Sequence, residues 1–121
     1  MSDDARQILG KHGEDLACAE LARLGYAILD RRYRTRFGEI DIVARDGETT
    51  VFVEVKARDS REFGDAAEAV TASKQRRIAR LATEYVTRHH LANCPCRFDV
   101  VAIHFDDGRP EIVVFQNAFD A

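Results

Sequence analysis

Gly38-Glu39-Ile40-Asp41-Ile42-Val43 and Phe52-Val53-Glu54-Val55-Lys56-Ala57-Arg58 are two β-rich runs separated by Asp46-Gly47, a dipeptide suited to the positive φ angles of a tight turn. They read as the two strands of a hairpin. A two-residue turn at Asp46-Gly47 pairs Arg45 with Glu48, Asp41 with Phe52 and Glu39 with Glu54. Side chains alternate along a strand, so this register sets Asp41, Glu54 and Lys56 on one face, with the two acids as diagonal neighbours roughly 7–8 Å apart by Cα. Ionised groups within sequence that otherwise suits burial cost several kcal/mol in desolvation unless a partner ion offsets them, so such positions usually mark a site.

Working outward, Leu9, Leu16, Ala17, Leu21 and Leu24 recur at helical spacing and predict an amphipathic helix over about residues 7–24, closed by Gly25. Glu14 shares their stripe and is expected to face the sheet. Glu20 lies near it and is expected to snorkel to solvent or to pair with an arginine. Tyr26 to Leu29 reads as a short strand that leads into a loop rich in arginine, and residues 61–70 as a loop or bend. Ile78, Leu81, Ala82 and Tyr85 define a second helix over about residues 71–90, with Lys74 and Gln75 in its first turn, directed toward the sheet. Residues 97–105 are apolar on both faces, as an interior strand is. Asp107-Gly108 then turns the chain into a last strand, 111–115. The order is helix, three strands, helix, two strands: one α/β domain over 1–121, a mixed sheet between helices.

The chain has 121 residues and a formal net charge of −3, too short for two cores and too acidic to coat duplex DNA by bulk charge. Basic residues nevertheless cluster, with Arg31, Arg32, Arg34 and Arg36 together and Arg58, Arg61, Lys74, Arg76, Arg77 and Arg80 after the second motif. No apolar run reaches the roughly 18 residues that a membrane helix needs, and the polar start carries no export signal, so a cytoplasmic location is expected. Three cysteines form no disulfide framework. His89, His90, Cys94 and Cys96 offer zinc-type ligands, but at a spacing unlike that of zinc knuckles. Asp99, in an apolar strand, needs an arginine or backbone amides as partners.

Two carboxylates and a lysine on one sheet face suit phosphodiester hydrolysis with a hard divalent cation. Asp41, Glu54 and the backbone carbonyl of Val55 would hold Mg²⁺ or Mn²⁺, and Lys56 would orient the attacking water. Glu14 would add a third carboxylate. The bland alternative is a structural ion pair between Lys56 and one of the acids.

These residues, together with Gly13-Glu14-Asp15-Leu16-Ala17, Leu24-Gly25-Tyr26, Val70-Thr71 with Lys74-Gln75, and Cys96-Arg97-Phe98-Asp99-Val100-Val101, resemble the PD-(D/E)-x-K nuclease superfamily. Within it the chain is similar to the YraN-type bacterial family and, further off, to archaeal Holliday-junction resolvases. The resemblance implies a restriction-endonuclease-like three-layer sandwich, with Glu14, Asp41, Glu54 and Lys56 at the catalytic positions. Ile40 stands where the superfamily name has proline, and Glu20 where relatives often carry an aromatic residue. The resulting expectation is a metal-dependent endonuclease acting on branched or non-duplex DNA, with Arg34, Arg36, Arg58, Lys74 and Gln75 on the backbone phosphates. A homodimer would suit symmetric cleavage of two strands. The alternative is a non-catalytic nucleic-acid-binding or adaptor protein on the same fold.

Overall fold

The computed structural model describes residues 3–59, 70–105 and 109–119. Helix α1 (Asp3–Arg23) leads into strands β1 (Ala27–Thr35), β2 (Gly38–Asp46) and β3 (Thr49–Asp59); helix α2 (Ala72–Arg88) then crosses to β4 (Cys96–Phe105), which turns into β5 (Glu111–Phe119). The strands form one sheet in the order β1-β2-β3-β4-β5, antiparallel except for the β3–β4 pair. A parallel pair needs a long crossover, which α2 provides. This is the expected restriction-endonuclease-like α/β sandwich.

Each face of the sheet buries its own apolar layer. On the α1 side, Ala17 and Leu21 pack on Ile42, Ala44, Val51, Val53, Val101 and Ile103. On the α2 side, Ile78, Leu81, Ala82 and Tyr85 pack on Val43, Phe52, Phe98, Val100 and Ala102. Alternate residues of β3 and β4 therefore serve opposite layers, which is why 97–105 reads as apolar throughout. Asp99 is fully buried and satisfied by Arg97 (Nε 3.1 Å), the Tyr26 hydroxyl (3.2 Å) and the Asn117 amide (2.9 Å), the kinds of partner expected for it.

The hairpin differs from its sequence reading by two positions. Ile42 pairs with Val53, Val43 with Phe52 and Asp46 with Thr49, so the turn is Gly47-Glu48 rather than Asp46-Gly47. Gly47 takes φ 61°, as the first central residue of a type II′ turn must, and Asp46 stays in the strand, where Arg97 binds its carboxylate at 3.0 Å. A shift of two preserves every face, so Asp41 and Glu54 remain on the same side. The arginine-rich segment is also strand, not loop, since β1 runs on to Thr35. Leu24 is 46% exposed because α1 ends before it, and Glu20 pairs with Arg23. Residues 61–69, the turn at Asp107-Gly108 and the side chain of Arg58 lie outside the described residues. Among those described, no helix is long and apolar enough to cross a membrane.

Gly13 sets the depth at which α1 lies on the sheet. A Cβ there would fall 2.9 Å from the Ala57 Cβ, inside van der Waals contact. Helix propensity favours alanine over glycine by about 1 kcal/mol, while overpacking against a strand costs about 1–3 kcal/mol. Gly13→Ala is therefore expected to lower stability by about 1 kcal/mol in chemical denaturation. In an Ala57→Gly background the same substitution should be neutral or stabilising, because the opposing methyl is gone.

Candidate active site

Beyond Ile42↔Val53 no further β2–β3 pairing follows, although both strands continue. The two strands part there and leave a fork. Asp41 fills it: its carboxylate accepts the Val55 N–H at 2.8 Å, in place of a ladder bond. Because a strand's N–H groups lie in the plane of the sheet, the Asp41 carboxylate lies in that plane too and is reached from both faces. In extended backbone the N–H and C=O of one residue point to the same side, so the Val55 carbonyl also opens toward β2.

An irregularity in β1 and β2 accompanies the fork. Arg31 and Arg32 are adjacent, yet both reach acids of α1, Asp15 at 2.6 Å and Glu14 at 3.0 Å. Arg32 has φ 54°, a left-handed conformation unusual for a residue with a side chain, and this lets consecutive side chains reach the same helix. Past the kink, Tyr33 and its partner Ile40 join the α2 layer, although Ile42 belongs to the α1 layer.

From the α1 side comes Glu14, which is 8% exposed and one residue beyond the close contact at Gly13. Carboxylate oxygens of Glu14, Glu39 and Asp41 all lie within 4.8 Å of one another. From the α2 side comes Glu54, whose charge acts directly on Asp41. Continuing the register by one step sets it opposite Asp41. The Lys74 ammonium, in the first turn of α2, reaches Glu54 at 3.3 Å. Burial works against that ammonium, but the hydrogen bond to Glu54 and the charges of Glu54 and Asp41 outweigh it and raise its pKa, with Lys56 close by. Lys56, two residues beyond Glu54, thus belongs to the same group.

Burial, followed by the negative charge of Glu54, pushes the Asp41 carboxyl up to about 7, despite the favourable Val55 N–H. Glu14 raises it further. Asp41 is a carboxylate gathered with the carboxylates of Glu14, Glu39 and Glu54. That donor chemistry fits a hard divalent cation such as Mg²⁺ or Mn²⁺.

The structure therefore gathers Glu14, Asp41, Glu54, Lys56 and Lys74 around one point. It adds Glu39, which the sequence reading passed over, although alternation already put Glu39 on the face of Asp41. The surrounding arginines are mostly committed elsewhere: Arg31 and Arg32 hold Asp15 and Glu14, and Arg34 holds Glu39 at 3.0 Å. Gln75 donates to the Val70 carbonyl at 2.9 Å, and the hydroxyl of the N-cap Thr71 accepts the Lys74 amide at 3.2 Å. These contacts fix the start of α2, so Gln75 and Arg34 have structural partners where phosphate contact was expected. Among the described residues no group of three ligands forms around His89, His90, Cys94 and Cys96; the His89 ring instead stacks on Tyr85 at 4.0 Å.

A sheet forked around an aspartate, with Glu-x-Lys on the next strand and a helical glutamate above, defines a PD-(D/E)-x-K nuclease-like fold. The model of the family described as "Uncharacterised protein family UPF0102" matches residues 13–103, and the chain belongs to that family. A UPF0102 protein of Anaeromyxobacter dehalogenans is 50% identical over 117 residues, covering 97% of this chain and 87% of the relative. One from Symbiobacterium thermophilum is 50% identical over 93% of this chain and 97% of its own length. Among solved structures, Pyrococcus furiosus SfsA in complex with Ca²⁺ is similar at a TM-score of 0.37 and 15% identity, covering 92% of this chain and 63% of that one. A likeness of that size carries no inference about activity.

A carboxyl whose folded pKa is raised from 3.8 to about 7 binds its proton more tightly folded than unfolded, so stability declines as pH rises from about 4 to about 7 and then levels. In metal-free buffer Asp41→Asn should accordingly be more stable than the wild type above pH 7, on the order of 2–4 kcal/mol. The difference should vanish near pH 4. Saturating Mg²⁺ or Mn²⁺ at pH 8 should raise the thermal midpoint of the wild type and leave Asp41→Asn unmoved.

Proposed function

We propose that the protein is a metal-dependent endonuclease that hydrolyses phosphodiester bonds in branched or non-duplex DNA. The observation that carries this reading is the fork at Asp41, where acids from both faces of the sheet converge on one buried carboxylate and Lys74 pairs with Glu54. Asp41, Glu54 and the Val55 carbonyl would hold the cation, with Glu14 and Glu39 completing the acidic wall. Mg²⁺ or Mn²⁺ bound there supplies Lewis acidity toward a phosphate oxygen and toward the attacking water.

The protein's own groups supply the rest. The Val55 amide fixes the Asp41 carboxylate in the plane of the sheet, so its orientation is set before substrate arrives. Arg32 fixes Glu14 in the same way. Lys56 orients the attacking water and offsets the charge that develops on the phosphate. Lys74 binds Glu54 and directs that carboxylate into the fork. Two copies related by a two-fold axis would present two such sites to two strands of a branched substrate.

The test is incubation of the pure protein with Mn²⁺ or Mg²⁺ and a panel of four-way junctions, flaps, single strands and duplexes. Cleavage of branched or unpaired DNA is expected, reduced by about 100-fold or more in Glu54→Ala and in Lys56→Ala. Cleavage that survives both substitutions would place the reaction elsewhere. Binding without cleavage under every metal condition would favour the adaptor reading.

A further inference from the structure

Six of the arginines whose side chains are described are paired with an acid: Arg23, Arg31, Arg32, Arg34, Arg88 and Arg97 each have a carboxylate within 4 Å. Six others are not so paired among the described residues; Arg45 and Arg109 stand apart, and the remaining four stand together. Arg36, Arg76, Arg77 and Arg80 have no carboxylate partner among the described residues, and all four lie around one side chain, Phe37. The ring is 44% exposed, at the tip between β1 and β2. The Arg36 guanidinium stands 4.9 Å from its centroid and that of Arg80 5.4 Å. Phe37, Arg76, Arg77 and Arg80 line one cleft of about 350 Å³ between the tip and α2.

The cleft is part of the packing. A Cβ on Gly38 would meet the Arg77 side chain at 3.1 Å, so the absent side chain lets the stem of Arg77 lie directly over the hairpin. Arg77 is one turn along α2 from Lys74, and Arg80 nearly two, about 9 Å along the axis. The cleft thus continues the same helix that supplies Lys74 to the acidic fork.

We infer that this cleft binds an unpaired stretch of nucleic acid next to the cleavage site, with one base stacked on Phe37 and its flanking phosphates on Arg36, Arg76, Arg77 and Arg80. In a protein of net charge −3, four guanidinium groups side by side, without a carboxylate partner among the described residues, repel, and a polyanion relieves that repulsion. The aromatic ring selects among polyanions. A base stacked on an aromatic side chain is worth about 5- to 150-fold in affinity, whereas an exposed cation–π contact is worth about 2- to 5-fold. A base therefore displaces an arginine from the ring, and the displaced guanidinium is free to take the adjoining phosphate. Paired bases in a duplex keep their faces stacked on one another and cannot do this. The inference deepens the nuclease reading by naming the part of the substrate that is recognised, but it is tested by binding, which needs no turnover.

The experiment measures fluorescence anisotropy, without metal and at low salt, for a single strand, a duplex and a duplex with a single-stranded arm. The proteins are the wild type, Phe37→Ala, Phe37→Leu, Phe37→Trp and the double variant Arg76→Gln/Arg80→Gln, each checked for an unchanged thermal midpoint. A single 2-aminopurine in the arm reports stacking. Phe37→Ala and Phe37→Leu should weaken binding of the single strand and the armed duplex about 5-fold or more, leave the plain duplex within about 2-fold, and lose the quenching of 2-aminopurine. Phe37→Trp should retain both. The arginine variant should weaken all three ligands and flatten the salt dependence. Equal losses for duplex and single strand, full affinity in Phe37→Leu, or equally effective competition by poly-glutamate would overturn the inference. If the wild type cleaves while Phe37→Leu binds and cleaves as well as it does, the cleft reading fails and the nuclease reading stands. If Phe37-dependent binding occurs with no cleavage under any metal, the cleft reading stands and the nuclease reading fails.

Discussion

One hydrogen bond, from the Val55 amide to the Asp41 carboxylate, holds the site in its present form. It sits where two paired strands have stopped pairing, and an unsatisfied N–H in that gap would cost about 1–3 kcal/mol. By accepting it, Asp41 stabilises the fork and is itself fixed in the plane of the sheet. A side chain on either face would see only the helix covering that face. One in the plane is open to both, which is how Glu14 on α1 and Glu54 beside α2 act on the same group.

The remaining structure keeps that arrangement under tension. Glu14 is brought down by the close approach at Gly13 and offset by Arg32, whose left-handed backbone is the local cost of turning two adjacent arginines toward one helix. Glu54 is offset by Lys74, which the Thr71 cap and the start of α2 position. Burial and the charges of Glu54 and Glu14 hold the Asp41 carboxyl above the usual carboxylate range. On β4, in register with Val53, Asp99 is buried still more deeply, yet Arg97, Tyr26 and Asn117 satisfy it fully. The two acids differ in their neighbours: Asp99 is surrounded by donors, whereas Asp41 is set beside other carboxylates.

Much of the fold was legible in the sequence because period-two and helical patterns do not depend on register. The order of the elements, the interior position of 97–105 and the kinds of partner Asp99 would need all follow from alternation and the cost of burying charge. The turn was misplaced because Asp46-Gly47 suits a turn locally, while Arg97, 51 residues away, holds Asp46 in the strand. The arginines of β1 were taken for a loop because charge density hid a strand whose outward charges are matched by α1 and β2. Glu39 was within reach of the same alternation that found Asp41.

The sequence by itself determined which residue types could meet: acids at alternating positions in two adjacent strands, a lysine two residues on, and an acid on the stripe of the first helix. Those are local periodicities, set by backbone geometry alone. Only the tertiary structure decided that the two strands would part at Ile42 and Val53, that Asp41 would turn into the gap, and that most of the neighbouring arginines would be paired while those around Phe37 would not. These outcomes depend on long-range packing and on which charges are close enough to cancel, and such distances are set only when both helices settle on the sheet.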